Sequence, residues 1–150
     1  MQRKIARHQA ERPAHWVTIE EPLALTRALR KAGAQSDLIL VDCLTLFAAN
    51  LLEAHGDDEL ALGAACEALY TTLASPRCAI VLISNEVGSG VVPEYLSGRQ
   101  FRDLVGELNQ RIAEIADTVV LMVAGLPLAL KSAASSPSQV IGRTKESVAV

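Results

Sequence analysis

Short apolar runs alternate with longer segments of helical periodicity along the 150 residues of this chain. Three runs, at residues 37–42, 79–83 and 118–123, are rich in aliphatic and β-branched residues and end at polar residues or glycine. Runs of this kind are typical of strands that are buried in a parallel sheet. A weaker alternation at residues 15–19 predicts a short edge strand. The chain is therefore expected to form a small sheet.

Apolar residues recur at three- and four-residue steps between these strands, which predicts amphipathic helices. A modest helix is expected before Gly33, two more over residues 44–54 and 59–73, and a long one from Pro93 or Glu94 onward. The alternation of strands and helices predicts an α/β fold with a mainly parallel sheet sandwiched by helices. So few strands would leave apolar edges unpaired, which indicates that part of the sheet lies elsewhere.

The net charge and the absence of basic clusters argue against two classes of partner, nucleic acids and membranes. A net charge of -3 with mixed signs provides no basic surface for nucleic acid and no polybasic patch for a membrane, so a small-molecule partner is expected. No run approaches the roughly 20 apolar residues of a membrane span, and residues 1–11 lack the apolar core of a signal peptide, so we expect a soluble cytoplasmic protein. Cys43, Cys66 and Cys78 are interpreted as small buried core residues in a reducing compartment.

The predicted chemistry lies where the apolar strands end. In open α/β sheets ligands bind beyond the carboxyl ends of the strands, which is where Asp42, Asn85, Glu86 and the glycine-containing loop 88–90 follow. An aspartate at this position can hold Mg²⁺ directly or through water beside a phosphate. The same residue type also serves as a helix cap or a loop acid, so spacing alone leaves both roles open.

Four polar motifs, in order along the chain, carry a resemblance to a known family. They are IARHQAERPAHW at residues 5–16, LILVDCLTL at 38–46 with Asn50 to Leu52, SNEVGSGVVPE at 84–94 and FRDLVGELNQR at 101–111. Together they resemble the bifunctional adenosylcobinamide kinase / adenosylcobinamide-phosphate guanylyltransferases of cobalamin biosynthesis. The resemblance covers about residues 1–131.

This resemblance implies a reaction and a cofactor. Family members have a fold similar to P-loop nucleotide-binding proteins, and they phosphorylate the terminal hydroxyl of the aminopropanol arm of adenosylcobinamide with ATP or GTP. They then transfer GMP from GTP to adenosylcobinamide phosphate through a covalent histidine-GMP intermediate, with Mg²⁺ as the expected cofactor. Family members are oligomers, so a homo-oligomer is expected here as well.

The matching nucleophile is His8, although a lone histidine on a charged segment would otherwise be interpreted as a solvated surface residue. A neutral imidazole attacks phosphorus well at pH 7, since its reference pKa near 6.5 leaves it largely unprotonated. His15 lies close in sequence but at a less specific position before Trp16. The resemblance also implies nucleotide contacts at the residues Gln9, Ala10, Glu11, Arg12, Glu20 and Asp42.

Several polar residues have a possible role in ligand binding, and for some of them a purely structural role is the alternative. Arg12 presents a planar fork to phosphate oxygens, and Glu20 can accept hydrogen bonds from guanine. The resemblance implies for Asp42 a metal-binding role similar to that of a Walker-B aspartate. Asn85 and Glu86 are secondary contacts or merely satisfy loop amides. Arg99, Arg102 and Asp103 reach a substrate phosphate or form ion pairs on a helix surface.

The family's P-loop motif, G-x-x-x-x-G-K-S/T, does not occur in this sequence. The first residue corresponds to a point after the family's first strand, P-loop, helix and second strand, so we expect roughly 40 residues to be missing, by the size of such a unit. The 150-residue form is therefore expected to have little activity. Residues 1–131 are predicted to be the C-terminal part of the enzyme domain and 132–150 a disordered tail. The alternative is a non-enzymatic α/β module that only oligomerises or binds a partner.

Overall fold

Six strands and four helices occur in the part of the chain that the computed structural model describes, which is residue 13 and residues 15–56, 58–132 and 147–149. The strands are β1 (Val17–Thr18), β2 (Leu38–Asp42), β3 (Ala79–Ile83), β4 (Val119–Val123), β5 (Leu126–Lys131) and β6 (Ser147–Ala149). The helices are α1 (Leu25–Ala32), α2 (Leu44–His55), α3 (Glu59–Leu73) and α4 (Leu96–Ile115). The α/β class and the four helices predicted within this part of the chain are confirmed.

Four strands form one parallel sheet in the order β1-β6-β2-β3. Strands β2 and β3 pair over their full length, from Leu38 beside Ala79 to Asp42 beside Ile83. The connection between them runs through α2 and α3, as expected for a parallel pair, which needs a long crossover. The prediction of a mainly parallel sheet is therefore confirmed.

The hydrophobic core lies on one face of this sheet. Ile39 and Val41 of β2 are buried there, with Ile80 and Leu82 of β3 packed against them. All four helices contribute side chains to the same core. The stripe predicted for α4 is confirmed, since Val105, Leu108 and Ile112 are buried and Phe101, Leu104 and Ile115 are partly buried against the core.

The opposite face of the sheet corrects the expectation of a sheet sandwiched by helices and of a fully buried β3. Val81 is 44% exposed and Ile83 is 41% exposed, so β3 alternates between a covered and an open face. Within the described residues β3 pairs only with β2, so it is an edge strand. An apolar run alone does not distinguish burial on two faces from burial on one.

The predicted buried strand at residues 118–123 also needs correction. Its residues form β4, which pairs antiparallel with β5 as a separate two-stranded sheet. The turn is made by Ala124 and Gly125, both with positive φ (51° and 79°), which is the two-residue geometry that suits the twist of a hairpin. Both strands are largely exposed, including Met122 at 60% and Leu126 at 71%.

Helix ends follow their local chemistry. Asp58 accepts a hydrogen bond from the amide of Ala61 at 3.0 Å and caps α3, as the sequence predicted. Gly56 follows α2 with a φ of 57°, a conformation that glycine adopts without steric cost. Glu21 accepts from the amides of Ala24 at 3.0 Å and Leu23 at 3.4 Å, just before α1. None of the helices in the described part of the chain is long and apolar enough to cross a membrane.

The cysteine prediction holds at only one position. Cys66 on α3 is buried, whereas Cys43 and Cys78 are half-buried. All three are free thiols. Burial raises the pKa of the Cys66 thiol, with the charges of Glu107 and Glu67 adding to the effect. Burial of Cys78 raises its pKa in the same way, with Asp37 as the second cause.

The C-terminal region differs from the expected disordered tail at one place. Residues 147–149 form β6, which lies between β1 and β2 and pairs with both in parallel, Val148 lying beside Val17 and Ile39. Residues 133–146 lie outside the described residues. The division of the chain at residue 131 stays a prediction.

The burial of Leu69 provides a test of the core. Its side chain is completely buried on α3, so we expect Leu69→Ala to lower the free energy of unfolding by about 2–5 kcal/mol, because a cavity remains. The matched control is Leu60→Ala on the same helix, where the side chain is 87% exposed and the expected change is within about 0.5 kcal/mol. Urea denaturation measures both, and equal losses would contradict the assigned core.

The position of β6 predicts a local effect on β1. Proline at residue 148 removes a backbone N–H and restricts φ, so Val148→Pro is expected to speed hydrogen exchange across residues 15–20 and 38–40. Val148→Thr keeps a β-branched residue and an N–H, and should leave exchange unchanged. Mass-spectrometric exchange compares the two variants. Unchanged exchange in the proline variant would show that β6 does not pair as described.

Candidate active site at the carboxyl edge of the sheet

Three of the predicted site residues, Glu20, Asp42 and Asn85, lie at or just after the carboxyl ends of strands that run in the same direction. Asp42 is the last residue of β2 and lies beside Ile83, so Asn85 follows two residues after Asp42's ladder partner. Thr18 and Leu40 both pair with Ala149, which places Glu20 at the same level of the sheet as Asp42. One strand separates β1 from β2, so these two strands lie about 10 Å apart. Asp42 and Asn85 therefore lie at the strand ends where the sequence predicts them, and Glu20 lies at the same level of the sheet.

A hydrogen-bond network joins three elements at this edge. The Thr45 hydroxyl in the first turn of α2 donates to Asn85 Oδ1 at 2.8 Å and accepts from the Asn85 amide at 3.1 Å. The Ser84 hydroxyl donates to Asn109 Oδ1 of α4 at 2.6 Å. Asn109 Nδ2 in turn donates to the Asn85 carbonyl at 3.1 Å. The loop after β3 is therefore tied to both α2 and α4.

Asn85 therefore has a structural role, which was one of the two interpretations of the sequence. Its side-chain oxygen, backbone N–H and backbone carbonyl all form hydrogen bonds within the network. Asn85 is nevertheless exposed, and so is Asp42. Solvent-facing oxygen atoms on a fixed backbone are available to a ligand at the end of the strands.

The oxygens at this edge fit a hard cation. Mg²⁺ prefers oxygen ligands and commonly takes only one or two carboxylates, with water and phosphate completing its shell. Asp42 supplies an exposed carboxylate at the end of β2, and the Thr45 hydroxyl and Asn85 Oδ1, which are bonded to each other, follow the ends of β2 and β3. No group of three or more metal-ligating His, Cys, Asp or Glu side chains occurs among the described residues. A cation here would therefore need water or a bound ligand to complete its shell.

Glu86 bends back onto its own loop. Its Oε1 accepts a hydrogen bond from the Gly88 amide at 3.3 Å. A Cβ at Gly88 would lie 3.1 Å from the same oxygen, so this close approach favours glycine. Glu86 is exposed and serves to hold the loop, which matches the simpler of its two interpretations.

The three polar residues early in α4 differ in their contacts. Arg99 donates from Nη1 to the carbonyls of Pro93 at 3.1 Å and Glu94 at 2.6 Å, so it fastens the preceding loop and forms no ion pair among the described residues. Arg102 is half-buried and Asp103 is exposed. Neither side chain forms a hydrogen bond or an ion pair within the described part of the chain.

His8, Gln9, Ala10, Glu11 and Arg12 lie outside the described residues. His15 is exposed in a turn just before β1, where the Trp16 amide donates to the Pro13 carbonyl at 2.9 Å. Glu20 is exposed next to Glu21, whose pKa is lowered by the Ala24 amide first and then by Arg27, which donates to its carboxylate at 3.0 Å.

Sequence reasoning did not single out Thr45, Ser84 or Asn109. Thr45 and Ser84 lie within recognised polar motifs, and each follows a predicted strand within a few residues. Asn109 also lies within a quoted motif, at residues 101–111, but nothing in that motif marks it as a partner of Asn85, which is 24 residues away in the sequence. The available signal was one polar residue beside the buried Leu108 on the core side of α4.

A cavity of about 150 Å³ lies at the opposite edge of the sheet. It is lined by residues next to the amino ends of β2 and β3, including Ile39, Cys78 and Ile80, and by Arg30 and Arg77. It is therefore separate from Asp42 and the network.

The residues of the candidate site lie within a stretch of the chain that matches a known protein family. Residues 1–130 match the family described as cobinamide kinase / cobinamide phosphate guanyltransferase. The match includes β1 to β4, all four helices and the network at the carboxyl edge, and it ends before β6.

Curated relatives agree with the family match. The chain is 48% identical over 131 residues to the bifunctional adenosylcobalamin biosynthesis protein CobP of Pseudomonas aeruginosa, covering 87% of this chain and 75% of the relative. It is 38% identical over 151 residues to the bifunctional adenosylcobalamin biosynthesis protein CobU of Salmonella typhimurium. The CobU of Escherichia coli is 32% identical over 142 residues, and both CobU matches cover 87% of this chain and 78% of the relative.

The network predicts a cost for removing Asn109. Asn109→Ala leaves the Ser84 hydroxyl and the Asn85 carbonyl without their protein partner, so we expect the free energy of unfolding to fall by about 1–3 kcal/mol. Gln110→Ala on the exposed side of the same helix should change it by less than about 0.5 kcal/mol. Chemical denaturation distinguishes them. A neutral Asn109→Ala would show that the network contributes no stability.

Proposed function

The chain belongs to the cobinamide kinase / cobinamide phosphate guanyltransferase family, and we propose that it acts on adenosylcobinamide in cobalamin biosynthesis. The proposed reactions are phosphoryl transfer from ATP or GTP to the hydroxyl of the aminopropanol arm, followed by transfer of GMP from GTP to that phosphate. The observation that carries the proposal is the family match over residues 1–130, which includes every residue predicted for the site.

The guanylyl transfer is proposed to proceed through His8. Its imidazole nitrogen attacks the α-phosphorus of GTP, a P–N bond forms, and pyrophosphate leaves with the electron pair of the broken P–O bond. An oxygen of adenosylcobinamide phosphate then attacks the same phosphorus, and cleavage of the P–N bond regenerates the histidine. The motif around His8 and the largely neutral imidazole at pH 7 support this assignment.

The remaining contacts are proposed from the same motif and from chemistry. Gln9, Ala10, Glu11 and Arg12 would contact the guanine nucleotide, with the Arg12 guanidinium paired to phosphate oxygens in two parallel hydrogen bonds. Glu20 would accept from the nitrogen donors of guanine. Its position at the same edge as Asp42 supports a shared nucleotide site.

Asp42 is proposed to hold Mg²⁺ with the help of the Thr45 hydroxyl. When bound, the cation would neutralise charge on the phosphate oxygens. Thr45 and Asn85 keep the loop after β3 next to Asp42, which supports a fixed phosphate site. Arg102 is proposed as a further contact to the substrate phosphate, since its guanidinium has no ion-pair partner in the described residues.

A P-loop NTPase-like fold is part of this proposal. An all-parallel sheet with an aspartate at the end of β2 and a polar loop after β3 is consistent with it. Residues 1–131 would form the C-terminal part of that domain. The 150-residue chain by itself is proposed to have little activity, because its sequence contains no G-x-x-x-x-G-K-S/T motif to hold a triphosphate.

A second candidate is a partner-binding or oligomerisation module without catalytic turnover. The exposed apolar residues of β3 and of the β4–β5 hairpin favour it, since such surfaces mark interaction sites. Nucleotide labelling distinguishes the two functions.

The labelling test uses the protein as its own cells produce it, tagged at its gene. Incubation with α-phosphate-labelled GTP and Mg²⁺ is expected to give an acid-labile, alkali-stable label, as a phosphoramidate does. His8→Asn should reduce the label by at least about 100-fold, because the nucleophile is removed. His15→Asn is the matched control and should keep it.

Undiminished labelling of the His8→Asn protein would refute the nucleophile. Absence of any label in the wild-type protein, combined with capture of a partner, would favour the non-catalytic module. Robust GTP turnover by purified residues 1–150 alone would contradict the low activity proposed for that form.

A further inference from the structure

Asn50 is a polar residue in the middle of α2 that the proposed chemistry does not use. It lies in the second of the four motifs of the sequence, although asparagine has a low helix propensity at an interior position. Its side chain leaves the helix and donates from Nδ2 to the Pro22 carbonyl at 3.1 Å. Asn50 therefore joins α2 to the loop that follows β1.

The loop that accepts this hydrogen bond is fixed on both sides of Glu20. Ile19, before it, is partly buried and packs against the core. Pro22, after it, is held to α2 by the Asn50 amide, and its ring restricts its own φ. The backbone at Glu20 therefore lies between two fastened neighbours.

Glu20 and Glu21 are adjacent acids with different environments. The Glu21 carboxylate bonds the Ala24 amide and the Arg27 guanidinium, both at 3.0 Å, and its side chain is 19% exposed. Glu20 is exposed, and its carboxylate forms no hydrogen bond or ion pair within the described part of the chain. The fold thus uses Glu21, whereas the acceptor oxygens of Glu20 remain available to a ligand.

The hydrogen bond from Asn50 also relates Glu20 to the end of β2. Because α2 begins two residues after Asp42, the bond ties the loop of Glu20 to the helix that continues from Asp42. β6 lies between β1 and β2, so these two strands are about 10 Å apart. One nucleoside triphosphate spans such a distance, with its base at one acid and its phosphates at the other.

A purely structural role for Asn50 is the alternative. Pro22 is exposed, so water would satisfy its carbonyl nearly as well as the Asn50 amide does. The amide is therefore not needed to pair a buried group. What it adds is a fixed position for the loop relative to α2.

We propose that Asn50 is a positioning residue that holds Glu20 in place to accept hydrogen bonds from guanine, and that it thereby sets the base selectivity of the nucleotide site. This inference rests on the proposed function, because it concerns the nucleotide of the same site. Asn50 acts through the backbone of the loop. An acceptor that is already held in place loses less conformational entropy when the base binds.

Base selectivity measures this role, because the base of ITP lacks the 2-amino donor of guanine. Equilibrium dialysis on the protein as its cells produce it gives the dissociation constants of GTP and ITP. We expect the wild type to bind GTP about tenfold more tightly, as one hydrogen bond to a charged group provides. Asn50→Leu keeps the size but has no donor, and should lower this ratio to about threefold or less. Asn50→Gln keeps an NH2 donor and should retain most of the ratio.

A second comparison shows whether Asn50 acts through Glu20. Glu20→Ala should lower the GTP/ITP ratio by itself, and adding Asn50→Leu should lower it no further, because residues that act together are not additive. A structural role alone would lower the melting temperature of Asn50→Leu and leave the ratio unchanged. Glu53→Ala, on an exposed position of the same helix, is the matched control and should change neither quantity.

An unchanged ratio in Asn50→Leu, together with a lowered ratio in Glu20→Ala, would overturn the positioning role and leave the proposed function intact. A further loss in the double variant would overturn it as well, since Asn50 would then act independently of Glu20. A wild type that binds GTP and ITP equally would remove the base contact on which the inference depends. A wild type that binds neither nucleotide and takes no GMP label would reject the proposed function itself.

Discussion

The parallel pairing of β2 with β3 is the constraint on which the rest of this structure depends. Its register places Asp42 beside Ile83, and the residues that follow each strand then meet at one edge. Thr45, Ser84, Asn85 and Asn109 close that edge by hydrogen bonds between α2, α4 and the loop after β3. A shift of one residue in this register would turn Ile39 and Val41 away from the core, and Asp42 would no longer lie beside Ile83. Core packing and site geometry therefore have the same origin.

The two faces of the main sheet differ in burial, and the exposed apolar face can bind a ligand or a partner. Helices cover the face that carries Ile39 and Val41, whereas Val81 and Ile83 are open to solvent among the described residues. The hairpin formed by β4 and β5 exposes further aliphatic side chains and is not paired to the main sheet. Exposed apolar surface of this kind is costly in water, so contacts with a ligand or another polypeptide would stabilise it.

Local patterns were sufficient for much of the fold. The apolar run at β2, the cap at Asp58 and the stripe of α4 were predicted because period, capping chemistry and burial all agree there. The strand at 119–123 was predicted to be buried in a parallel sheet, but it is an exposed strand of an antiparallel hairpin. An apolar run contains no information on which strand it will pair with. The Ala124-Gly125 turn was the available hairpin signal, and β6 had none, since three residues in a polar tail show no period.

The sequence by itself determined the α/β class, the direction of the sheet, the family and the order of the chemical motifs, because these follow from local periodicity and from residue types at set spacings. Tertiary structure decided which faces are covered, that Asn109 joins Asn85, and that Arg99 fastens a loop instead of pairing with an acid. These outcomes depend on contacts between residues that are distant in the chain or on the path of the backbone. Such contacts arise only when helices and strands pack together, and no local pattern specifies them.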